Sequence, residues 1–214
     1  LIDAEQYEAA EAQLALALRV NPRHPEALAY RAVLAHLRND PAAEQGHRAA
    51  ALSTWKSNPY VDSLIGRKLS QNYRFAEGAA AQRRALAFEP DFLPARRQLA
   101  SDLLRLGQTD EGWKLAQEVH GLDAYDVGAY NLVTLHDQME KFSTLTNADF
   151  IVRMSALEAQ LYGDRVLELL GRAKAALCGK YGVELDGPTT VEIFPEQKDF
   201  AVRTFGMPGN PGYL

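Results

Sequence analysis

Apolar and small residues along this chain return at a fixed interval. Stepping by 34 gives Ala27, Val61, Ala95 and Ala129, and the same step gives Ala17, Ala51, Ala85 and Val119, with Leu18, Leu52 and Leu86 beside them. A third series, Arg31-Ala32, Ile65-Gly66, Leu99-Ala100 and Val133-Thr134, has a small second member in every copy, as close helix approach requires. Tyr7, Pro41 and Phe75 precede the second helix of each unit. Pro22 and Pro90 follow it, where a residue without an amide hydrogen ends a helix at little cost. The pattern predicts about three and a half helical hairpins over roughly residues 1–140. One hairpin cannot bury its own apolar faces, so neighbours must stack into a continuous core with a groove along one side.

After residue 140 the interval fails, and residues 141–214 read as a linker, a long helix and a truncated α+β segment that begins a second domain. "KFSTLTNADF" is polar and offers Asn147 as a helix cap. Ser155 and Glu158 have capping-box spacing, and Leu157, Leu161, Val166, Leu169, Leu170, Ala173 and Leu177 then track one face of a long helix ended by Gly182. Val191 and Ile193 alternate with Thr190 and Glu192, the one good strand signal, stopped by Pro195. A short helix packing through Phe200, Val202 or Phe205 and a turn-rich loop, "GMPGNPGYL", complete the pattern. A lone strand would leave its hydrogen-bonding groups to another segment, a partner or water.

The segments "SLIGRKLSQNYRFAEGAAAQRRALAFEP" and "ARRQLASDLLRLGQTDEGWKLAQEV" carry the spacing of large and small residues that resembles the tetratricopeptide repeat family, and the resemblance covers about residues 1–140. It departs at Arg31, a normally large apolar site, at Glu44, a normally small one, and after Leu135. The resemblance implies a mainly α fold: a right-handed α-solenoid of helical hairpins, followed by the long helix and short α/β segment. It also implies a protein- or peptide-binding scaffold whose groove is lined by the first helix of each unit. Carried over by position, the groove residues are Tyr60, Ser63, Arg67, Gln71, Arg97, Ser101, Arg105 and Asn131, with Glu26, Ala29, His36 and Ser70 among their neighbours. Arg67, Arg97 and Arg105 are expected to point toward one space, where guanidinium forks hold a carboxylate. Three arginines on a solvated face, paired with carboxylates of adjacent units, are the plainer alternative.

"YGVELDGPTTVEIFPEQKDFAVRTFGMPGNPGYL", after its long helix, resembles the opening of the catalytic domain in gluzincin-like zinc metallopeptidases fused to tetratricopeptide repeats. That resemblance implies zinc and peptidase activity in a longer protein. The HExxH motif that would bind and use the metal does not occur in these 214 residues, so no cofactor or catalytic residue is expected within them. Self-association through the terminal units is a third alternative. The chain starts at Leu1, already inside a helical pattern, which reads as a fragment.

Composition adds exclusions. At 47% hydrophobic and 24% charged residues the chain has ordinary soluble composition, with no apolar run of membrane-spanning length. A net charge of −5 without a basic cluster argues against nucleic acid as partner. Cys178 is the sole cysteine and is read as a buried helix residue. His24, His36, His47, His120 and His136 lack the spacing of helical zinc ligands, and no serine-nucleophile, phosphate-loop or dinucleotide signature occurs.

Overall fold

A computed structural model gives the fold of residues 1–209. The described chain is mainly helical with one small sheet. It divides into two compact units, one spanning Leu1–Leu122 and the other beginning at Asp123.

In the first unit a short 3-10 turn, Ile2–Ala4, precedes α1 (Tyr7–Val20), α2 (Pro25–Leu37), α3 (Pro41–Ala51), α4 (Pro59–Gln71), α5 (Phe75–Phe88), α6 (Leu93–Arg105) and α7 (Thr109–Leu122). The helix starts repeat the sequence interval: α1, α3, α5 and α7 begin 34 residues apart, and so do α2, α4 and α6. Each even-numbered helix packs on the odd-numbered helix that follows it, and α4 also packs on α2 and α6. Alternate helices therefore share one side of the unit. Ile65, Leu69 and Leu103 are buried in this stack, where each contributes about 2 kcal/mol through area removed from water.

The turn that ends α2, α4 and α6, and the 3-10 turn before α1, is the same object four times. Glu5, Asn39, Tyr73 and Gly107 all have positive φ, from 55° to 76°. The amide of the next residue, in Gln6, Asp40, Arg74 and Gln108, bonds back to the carbonyl of Leu1, Ala35, Leu69 and Leu103 at 2.9–3.0 Å. This is the six-to-one bond of a Schellman ending, which satisfies carbonyls that a helix terminus would leave unpaired. Only Gly107 is the residue type that adopts this conformation freely.

The small positions behave as the interval requires. A Cβ on Gly66 would lie 2.8 Å from the Gly78 carbonyl oxygen, so α4 and α5 meet backbone to backbone. Where the interval places Glu44 at the position of Gly78 and Gly112, the larger side chain accepts a 2.9 Å bond from His36. Arg31, at the position of Ile65 and Leu99, extends to Glu11 at 2.6 Å. Asp62, fully buried at the start of α4, accepts Arg48 Nε and Nη2 at 2.7 and 2.6 Å and Arg84 Nε at 3.0 Å, which ties α3, α4 and α5 together.

The second unit contains α8 (Val127–Met139), β1 (Phe142–Thr146), β2 (Phe150–Ser155), α9 (Ala156–Tyr181), β3 (Thr189–Glu192) and α10 (Gln197–Phe205). The strands form one sheet in the order β1-β2-β3, with β1 antiparallel and β3 parallel to β2. This corrects the expectation of a lone strand: β3 pairs with β2 from Phe150↔Thr189 to Arg153↔Glu192. Asn147 does not cap a helix either. Its Oδ1 accepts the amides of Asp149 and Phe150, at 2.9 and 2.8 Å, and closes the turn between β1 and β2.

Ser155 caps α9 as expected, with Glu158 N–H to its Oγ at 3.4 Å. The expected single apolar face is divided. Val166, Leu167 and Leu170 pack on Phe150, Val152 and Met154 of the sheet, whereas Leu157, Leu161, Leu169 and Leu177 are exposed. Cys178 is half-buried on the same helix. In α10, Ala201 and Val202 are buried while Phe200 and Phe205 are exposed. The end of the turn-rich loop, residues 210–214, lies outside the described residues.

Candidate functional site

The first turns of α2, α4 and α6 surround a cleft of about 540 Å³ in the first unit. Proline stands in the first turn of each helix, at Pro25, Pro59 and Pro94, where its fixed φ suits the helix and its missing amide costs nothing. The residues before the three helices, His24, Asn58 and Phe92, again lie 34 apart. His24 Nδ1 accepts the Ala27 amide at 3.3 Å, and Asn58 Oδ1 accepts the Tyr60 amide at 3.1 Å. Phe92 makes no such cap; its ring meets the Tyr60 ring edge-on, with centroids 4.6 Å apart. The third N-terminus thus trades a polar cap for an aromatic wall, and Tyr60 is left 62% exposed beside it.

Of the residues expected in a groove, Tyr60, Ser63, Arg67 and Arg97 line this cleft together with Glu26 and Ala29. Both arginines are exposed, and among the described residues no hydrogen bond or ion pair engages Arg67. Ser63 is buried, and its carbonyl accepts Gln82 Nε2 at 3.0 Å. Two cationic groups against one carboxylate, Glu26, give the lining a positive balance, which the three helix N-termini reinforce. Apolar surface from Ala29, Val61 and Leu64 lies alongside.

The other expected residues are elsewhere. The Arg105 guanidinium lies over the Phe75 ring at 5.2 Å, so the three arginines do not converge on one space. Ser101 donates to the Arg97 carbonyl at 3.3 Å, and Gln71 is the exposed last residue of α4. Asn131 belongs to the second unit, where its amide donates to the Gly206 carbonyl at 3.2 Å. His36 is paired with Glu44, and Ser70 is buried. Reasoning from the helix faces missed His24, Asn58, Phe92 and Gln98. The first three stand on or before the helix start, and their 34-residue spacing was the signal that could have found them.

No group of three or more His, Cys, Asp or Glu able to hold a metal ion is gathered among the described residues. No described helix is long and apolar enough to cross a membrane. A scan of protein-family models finds no match to the chain, and a search of curated proteins finds none.

Proposed function

We propose that the first unit is a tetratricopeptide-type solenoid and that the protein is a binding scaffold whose cleft captures an extended acidic segment of another polypeptide. One observation carries the reading: Arg67, a guanidinium with no partner among the described residues, lines a cleft walled by the exposed ring of Tyr60. A planar fork of N–H donors suits a carboxylate in paired hydrogen bonds, and the Tyr60–Phe92 pair offers a flat apolar face to the neighbouring side chain of the guest. The common 34-residue spacing of helix starts and of left-handed turns supports the repeat assignment.

The test is selection of peptides from a random displayed library with the whole chain, followed by anisotropy titration of the selected sequences. Acidic sequences with an adjacent aromatic or large aliphatic residue are expected. Tyr60→Ala should weaken them about tenfold, or ~1.4 kcal/mol, with the melting temperature unchanged. Selected sequences without acidic residues, or equal binding by the Tyr60→Ala chain, would remove the support for this cleft.

A further inference from the structure

Beneath the exposed chemistry of the first unit lies a buried polar knot in which one hydroxyl faces two acceptors. Asp102, on α6, is 1% exposed. Its Oδ1 accepts Gln98 Nε2 at 2.9 Å, and its Oδ2 lies 2.9 Å from Ser70 Oγ, on α4. The same Ser70 oxygen lies 2.9 Å from the Gly66 carbonyl oxygen. A serine hydroxyl has one hydrogen to donate. Facing an ionised Asp102, it meets two acceptors and satisfies one. Facing a carboxylic acid, it donates to Gly66 and accepts from the Asp102 hydroxyl, so both short contacts become hydrogen bonds.

We propose that Asp102 is a proton-operated latch: as the neutral acid it ties α6 to α4 over Gly78, and when ionised it leaves the tie one proton short. Gly78, from α5, makes the closure possible, since a Cβ there would sit 2.1 Å from Ser70 Oγ and 3.1 Å from Asp102 Oδ2. The groups around the carboxyl agree with the neutral form. Burial raises its pKa to about 6, and the opposing effects of Gln98, Ser70 and the Arg105 charge do not cancel that. Among the described residues Arg105, on α6 itself, is the charged group that acts on it; α4 faces it with the Ser70 hydroxyl and α5 with Gly78, and neither titrates. Gln98 also lines the cleft, so the latch and the cleft share a side chain.

The sign follows from linkage. A carboxyl whose folded pKa lies above its unfolded value of 3.8 takes up protons on folding between pH 4 and 6. Its contribution is therefore best below that window and declines as pH rises through about 6. The full decline is on the order of a hundredfold in the folding constant. Asp102→Asn is a permanent imitation of the closed latch, because the amide donates to Ser70 where the acid hydroxyl did.

Urea denaturation of the whole chain and of its Asp102→Asn variant, from pH 4.5 to 8, tests this together with the carboxyl-carbon NMR titration of Asp102. The variant should be about a hundredfold more stable than the parent at pH 8, a gap that narrows to about sixfold at pH 4.5. The Asp102 resonance should titrate near pH 6. A pH-independent difference between the two proteins, or an Asp102 midpoint at or below 4, overturns the latch; the NMR titration needs no variant to fold.

Discussion

Asp62 and Asp102 are both buried aspartates of the same stack, yet neighbours make them opposites. Asp62 is met by two guanidiniums, one of them bidentate, which compensate the desolvation of an anion. Asp102 is met by an amide and a hydroxyl, which suit an acid better. Asp62→Ala should therefore cost about 3 kcal/mol in urea denaturation at pH 7, because Arg48 and Arg84 lose their common partner. Gly78→Ala is expected to cost about 2 kcal/mol, since the added carbon falls inside contact distance of Ser70 Oγ. At this scale little was legible beforehand. Nothing in the residue string distinguishes Asp62 or Asp102 from a solvated aspartate, because their burial depends on side chains 14 to 32 positions away.

The helices of the first unit were far more legible, and the reason is physical. An interval of 34 constrains packing partners on both sides of every copy, so the same small, large and proline positions must return. The left-handed turns escaped notice because a Schellman ending is specified by backbone hydrogen bonds, and Glu5, Asn39 and Tyr73 tolerate what Gly107 adopts freely. Gly107→Ala should accordingly cost about 1 kcal/mol, while Asn39→Gly should stay within ~0.5 kcal/mol of neutral by the same denaturation measurement. The two missed strands have another cause. β2 alternates Phe150, Val152 and Met154 inward, a strand pattern of six residues, but it runs directly into the Ser155 cap of α9, whose stronger helix signal hides it. β1, with Ser143 and Thr144 in a five-residue strand, carries too little apolar alternation to declare itself.

On the scale of the molecule, two compact units carry different chemistry. The second is a sheet with helices, in which Glu192 holds Arg203 at 2.7 Å and Phe150, Val152 and Met154 form the core. The first contains the cleft, and there the helix faces announced Tyr60, Ser63, Arg67 and Arg97, while the residues at the helix starts became visible only when three first turns were brought side by side. If the cleft recruits acidic segments, its selectivity depends on the positive balance of its lining, to which Arg67 contributes one of two guanidiniums. The decisive measurement is an anisotropy titration of one acidic peptide and its lysine-substituted counterpart against the whole chain and against Arg67→Glu, at low salt. The parent should prefer the acidic peptide by tenfold or more and the variant should lose or reverse that preference, with both proteins equally folded by circular dichroism. Unchanged preference in the variant would contradict recruitment by this cleft.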